Sequence, residues 1–357
     1  MTHNLPARAV ATLYGRAAPS LVHLELPIPS AHQIRYTVVS TGLCRSQLNQ
    51  IADASQRTGE GGRLLGHEAV GIVESVGEHV TTFEVGDSVL ISWLPRIAHP
   101  SSHRPEPIRL VSADHGLLET PDVFTWATAG LCDETFAYPA PNTHAELAVL
   151  GCAVMTGAGA VMNTLAVQPG ESVVIVGAGG IGLTAIAAAK ALGASIVIAM
   201  DVDDSKLALA RCLGATHVVN SLQEDPATAV MALTGNSGAD AVADCVGFAS
   251  TISTSLNLLS KGTGGHSRGG RLAIVGVPSE PVLVDVRSLQ VSEQLLAGSF
   301  GGSTVVERDF PKYLKWVLDG RLNLHELVTD RMNFDELIDG AERLAAGKVK
   351  GRAVVII

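Results

Sequence analysis

The run Val173-Val174-Ile175-Val176-Gly177-Ala178-Gly179-Gly180-Ile181-Gly182 constrains the fold more than any other stretch of the chain. Residues 172–176, four of them β-branched, make a short buried strand, and the alanine-rich segment 183–192 reads as a helix. Between them lies a G-x-G-x-x-G turn. Gly177 permits the tight turn, Gly179 lets a pyrophosphate approach the backbone, and Gly182 lets helix and strand pack closely. Such a turn alone is a weak signal, but here strand and helix flank it on both sides. The alternation then continues: strand 195–200, helix 206–213, strand 217–220, strand 239–245, helix 252–259 and strand 271–277. Strands alternating with helices at this pitch predict an α/β unit with a doubly wound parallel sheet.

Asp201 follows strand 195–200. A carboxylate there binds both hydroxyls of an adenosine ribose and repels a 2′-phosphate. Val202, Asp203 and Asp204 supply no arginine to receive that phosphate, so the pattern favours NAD over NADP. The alternative is a structural glycine turn beside an ordinary surface aspartate.

Upstream the grammar differs. Segments 21–26, 34–40, 69–76 and 88–93 read as strands bounded by Gly, Pro and Ser, whereas 94–121 reads as an irregular excursion with some short elements. The run Gly66-His67-Glu68-Ala69-Val70-Gly71, followed by Gly77 and Val80, sets an imidazole beside a carboxylate at the head of a strand. Cys44 and Cys152 lie in comparable glycine-framed settings. Three protein ligands leave a fourth tetrahedral position open, which is the arrangement of a catalytic zinc. Two thiolates and a neutral imidazole also cancel the charge of the ion. Either cysteine alone reads as a small buried hydrophobe; the coincidence with His67 favours ligation. Cys132, Cys212 and Cys245 read as packing residues, and His99, His103 and His115 as solvated loop histidines.

The 357 residues exceed one ordinary core, so two domains are expected. With 4% aromatic residues, Val, Leu, Ile and Ala must carry the packing. A net charge of -10 argues against a nucleic-acid surface. The most apolar segment, 185–200, is broken by Lys190 and Gly193 and is too short to span a bilayer, so no membrane partner is expected. Residues 1–13 carry no secretory h-region, and five cysteines without a close Cys-x-x-Cys pair fit a reducing cytoplasm.

The G-H-E-x2-G-x5-G-x2-V pattern from Gly66 to Val80, with the Gly-Cys…Thr-Gly-x-Gly run around Cys152 and Thr156, resembles the zinc-dependent medium-chain alcohol dehydrogenases. The resemblance implies a GroES-like, mostly β catalytic domain formed by 1–153 and 297–357, split around a Rossmann NAD-binding domain at 154–296. It implies hydride transfer between a small-molecule alcohol, or the matching aldehyde or ketone, and NAD. Cys44, His67 and Cys152 would hold one zinc, with Glu68 able to approach it. Ser46 would take the proton of the alcohol, and Trp93 would wall the substrate pocket. Arg45 and Arg352 would bind the cofactor pyrophosphate, Gly177, Gly179, Gly180, Ile181 and Gly182 would form its cradle, and Lys206 would flank the ribose beside Asp201. Thr156 and Val275 would meet the nicotinamide. A homodimer or homotetramer paired through segment 295–301 is expected.

Three departures stand out. No cysteine occurs between Ser92 and Gly130, where the family often binds a structural zinc, so one metal per subunit is expected. Gln47 stands where an aspartate is usual, and Asn49 is the nearest match to a relay histidine. Competing readings are a zinc-free quinone or enoyl reductase of the same fold, or a non-catalytic NAD(H)-binding protein. Asp201 yields a direct test: in a fluorescence titration NADH should bind at least about tenfold more tightly than NADPH, because like charges brought together cost a kcal/mol or more.

Overall fold

The computed structural model describes residues 3–96, 105–120, 122–265, 267–278 and 280–357. The chain divides into two units, Met1–Cys152 with Val328–Ile357, and Ala153–Leu327.

The first unit is built on β-structure. Strands Ser20–Leu26, Leu5–Leu13, Gly62–Leu64, Gly116–Thr120 and Ile108–Ser112 form one sheet in that order. A second sheet runs Ala137–Pro139, Ser88–Ser92, Glu68–Val76, Gln33–Leu43, Arg352–Ile356 and Val328–Asn333, with Ala129–Asp133 also paired to Gln33–Leu43. The last strand therefore returns to the first third of the chain, with Ala353 opposite Leu43 and Val355 opposite Thr41. Alternating side chains of these strands, among them Leu24, Leu26, Ile34, Tyr36, Val73, Val89 and Ile91, fill one core. A smaller core gathers Val10, Leu43, Leu65, Trp126, Phe334, Leu337 and Val355.

The hairpin Ile108–Ser112 and Gly116–Thr120 supplies the short elements expected within 94–121. Ile108, Leu110 and Leu118 alternate inward and are buried, and Gly116 closes the turn with φ +71°. His115 sits in that turn; His99, His103 and Pro121 lie outside the described residues.

The second unit holds six parallel strands in the order His217–Asn220, Ile196–Asp201, Ser172–Val176, Ala241–Asp244, Arg271–Ile274 and Leu295–Gly298. Strand order reverses beside Ser172–Val176, and the glycine turn stands at the carboxyl end of that strand, which is where such sheets bind ligands. Helix Gly180–Ala191 follows directly, and a Cβ on Gly182 would lie 1.8 Å from the Gly177 carbonyl oxygen. Only glycine fits that crossing. Segment 297–327, expected with the first unit, belongs to the second. Thr304 donates to the Met155 carbonyl at 2.9 Å, and Asn163 donates to the fully buried Asp309 carboxylate at 3.0 Å. These bonds hold helix Val306–Leu318 on the dinucleotide unit. Among the described residues no single helix is long and apolar enough to cross a membrane.

Trp126 is fully buried and donates its indole N–H to the Gly42 carbonyl at 3.1 Å. Trp126→Ala should therefore lower stability by about 3–5 kcal/mol, read as a fall in the urea midpoint by circular dichroism.

Candidate metal centre

Cys44 stands where strand Gln33–Leu43 gives way to helix Arg45–Ser55. Its backbone is extended (φ -125°, ψ 141°) and its side chain makes no capping bond, so the sulfur is left for other work. A helix N-terminus favours thiolate over thiol. His67 is placed by Gly66, whose φ of +91° turns the chain into strand Glu68–Val76; a Cβ there would strike the Trp126 backbone nitrogen at 2.2 Å. Cys152 follows the short helix Ala145–Gly151, which is pinned by the Ser92 hydroxyl donating to the Gly151 carbonyl at 2.9 Å.

These three elements bring the Cys44, His67 and Cys152 donor atoms within 4.8 Å of one another, both cysteines buried and the imidazole half-buried. The two sulfurs are 4.0 Å apart. Two Zn–S bonds of about 2.3 Å meeting near the tetrahedral angle would separate their sulfurs by about 3.8 Å, so the donor set fits zinc in spacing as well as in chemistry. The Cys152 thiol donating to Cys44, helped by His67 and Arg352, holds the Cys44 thiol well below its ordinary pKa against the opposing effect of burial. The same contact, with burial and Glu68, pushes Cys152 up.

Behind the sulfurs lies a buried ion pair. Glu68 is fully buried, and Arg352 bonds its carboxylate. Gly42 makes room for Glu68, since a Cβ there would fall 2.3 Å from Oε1. Burial opposes the Arg352 charge, but Glu68, Cys44 and Cys152 outweigh it and push the guanidinium pKa further up. The Thr41 and Thr125 hydroxyls donate to the Glu68 carbonyl at 2.9 and 3.2 Å. Ser46 is exposed and donates to Cys44 Sγ at 3.3 Å.

Comparison with known proteins agrees with this geometry. Residues 30–145 match the alcohol dehydrogenase GroES-like domain, and 180–319 match the zinc-binding dehydrogenase domain. The class-3 alcohol dehydrogenase of Myxine glutinosa is 30% identical, the alignment covering 92% of each chain. This chain belongs to the zinc-dependent medium-chain alcohol dehydrogenase family. Among solved structures, benzyl alcohol dehydrogenase from Acinetobacter calcoaceticus is 28% identical with a TM-score of 0.85, covering 99% of both chains. An alcohol dehydrogenase zinc-binding domain protein from Burkholderia ambifaria is 27% identical with a TM-score of 0.87, again over 99% of both. As a member of the family the chain is an oxidoreductase whose cofactors are zinc and NAD.

The other anticipated residues of this dehydrogenase fall as follows. In the second unit Asp201 accepts from the Ala178 N–H at 2.7 Å, and from Val202 and Asp203 N–H at 2.8 and 3.0 Å. Gly179, Gly180, Ile181 and Lys206 are half-buried near the carboxyl end of the sheet, and Thr156 is buried in helix Ala153–Gly159. Val275 donates its N–H to the Asp244 carbonyl at 2.8 Å. Asp244, which no motif signalled, is fully buried and takes the Val246 and Gly247 N–H groups at 3.0 and 2.7 Å. In the first unit Trp93 is half-buried against the main core, while Arg45 and Asn49 are exposed. Arg352, anticipated at the pyrophosphate, bonds the Glu68 carboxylate through its guanidinium. Cys132 is buried and Cys245 half-buried, but Cys212, read as packing, is exposed because its face of helix Asp204–Cys212 turns to solvent.

Removing one member of a buried ion pair strands the other charge. Arg352→Met should cost about 3–5 kcal/mol in urea unfolding. Adding Glu68→Gln to that variant should recover much of the loss in a double-mutant cycle.

Proposed function

We propose that this dehydrogenase moves a hydride between a primary or secondary alcohol and NAD, and in reverse acts on the matching aldehyde or ketone. The observation that carries the reading is the Cys44–His67–Cys152 set, its two cysteines buried, in a chain that also holds the strand, glycine turn and helix of a dinucleotide site. A zinc-free quinone or enoyl reductase would have no use for the three donors. When bound, zinc supplies a Lewis acid that lowers the pKa of an alcohol toward neutrality.

The side chains divide the remaining work. Cys44, His67 and Cys152 hold the ion, and the Glu68–Arg352 pair stiffens the frame behind them. Ser46, exposed beside Cys44, takes the proton of the alcohol at Oγ and passes it to solvent, since Asn49 cannot titrate. Trp93 forms an apolar pocket wall, which favours alcohols with a sizeable apolar body. The first unit is thus the catalytic domain and the second the NAD domain. In the latter, Gly177 to Gly182 cradle the pyrophosphate, while Asp201 and Lys206 hold the ribose. Thr156 and Val275 orient the nicotinamide.

Strand Leu295–Gly298 ends the parallel sheet with Leu295 half exposed, which supports pairing into a homodimer, or a homotetramer of two dimers. Five free cysteines support a reducing cytoplasm.

A panel of alcohols and aldehydes assayed with NAD and NADP, alongside a metal count, tests the reading. One zinc per subunit and NAD-linked turnover are expected. Cys44→Ala should lose the metal and at least about a thousandfold in kcat, as several kcal/mol of charge stabilisation disappear. Turnover retained in metal-free protein would overturn the mechanism.

A further inference from the structure

Gln47 is 1% exposed and sits in the first turn of helix Arg45–Ser55. Its side-chain amide spans two groups of the loop that carries the imidazole. The Gly66 N–H donates to Oε1 at 2.6 Å, and Nε2 lies 2.5 Å from His67 Nδ1. An amide has one accepting end and one donating end. The Gly66 N–H is a fixed donor, so the oxygen must face it and the NH2 must face the ring. Turning the amide over would set that NH2 against a buried backbone N–H, leaving both without an acceptor. Nδ1 is therefore the bare, accepting nitrogen, and the neutral ring carries its proton on Nε2. Yet Nε2 is the nitrogen left for a metal, because Nδ1 is taken by Gln47.

We infer that Gln47 holds His67 in the tautomer opposed to metal ligation, so that this centre keeps its zinc weakly and exchangeably. The inference rests on the zinc reading above. Ligation through Nε2 needs the proton on Nδ1, where it meets the amide protons, or an inverted amide that abandons the Gly66 N–H. Either way a buried donor is left without an acceptor. Gln47 is thus a positioning residue acting through His67. A carboxylate of equal length removes the conflict, since one oxygen accepts from Gly66 and the other from Nδ1–H.

Gln47→Glu is that change at constant shape. Zinc titrated into metal-free protein against a chromophoric chelator should give a Kd about 10–100-fold lower for Q47E than for the unmodified chain. Long-range proton–nitrogen spectra of the metal-free, unmodified protein should show His67 protonated on Nε2 and bare on Nδ1, and Q47E should reverse this. The spectra of the unmodified protein need neither metal nor variant, so they decide the tautomer even if Q47E folds poorly. Equal or weaker zinc binding by a folded Q47E, or Nδ1 protonated in the unmodified protein, overturns the inference while leaving the zinc reading intact. Failure of both proteins to bind zinc overturns the two together.

Discussion

The metal centre depends on one antiparallel pairing: the last strand, Arg352–Ile356, laid against Gln33–Leu43. With Ala353 opposite Leu43, Arg352 arrives beside Cys44, where its guanidinium meets the fully buried Glu68. Two thiols and a carboxylate crowded into a dry pocket would otherwise be costly, because buried charge needs a partner. The partner comes from the far end of the chain. The same strand contributes Ala353 and Val355 to the smaller core with Trp126 and Leu43, so packing and charge balance are set by one register. A slip of one residue would turn every side chain of the strand to the opposite face.

The alternation of strand and helix in the dinucleotide unit was legible, though some bounds moved: the strand expected at 239–245 spans Ala241–Asp244, and the one at 271–277 ends at Ile274. Strands Ser172–Val176 and His217–Asn220 coincide with their expected bounds, because β-branched runs closed by glycine or asparagine leave little freedom in where a strand stops. Helix Pro226–Leu233 escaped notice, although Asp225 caps it and proline opens it. The hairpin Ile108–Thr120 was legible only as unplaced short elements, for a different reason. Its neighbourhood of prolines and serines masked an alternation only five residues long on each strand.

The site was legible in its donors and less so in their surroundings. Cys44, His67 and Cys152 stood out because their glycine frames mark sharp turns, and the structure brings them together. The destination of Arg352 was not readable, since an arginine near a chain end carries no signal of what it will face. Nor was the domain to which helix Val306–Leu318 belongs: its buried Asp309 finds Asn163, which lies 146 positions earlier. Cys212 illustrates the same limit, for a single helical cysteine is apolar enough to bury and small enough to expose.

By itself the sequence determined the parallel sheet, the glycine turn at its centre, the Cys-His-Cys set that the structure gathers and the acidic residue that ends strand Ile196–Asp201. Each is a local pattern, settled by backbone sterics and by the chemistry of side chains close in sequence. Tertiary structure alone decided what surrounds those donors: that Glu68 is neutralised by Arg352, that segment 297–327 stays with the dinucleotide unit, and that the amide of Gln47 lies between Gly66 and His67. These contacts join residues from 19 to 284 positions apart, so register and burial, which no local pattern encodes, had to be settled first.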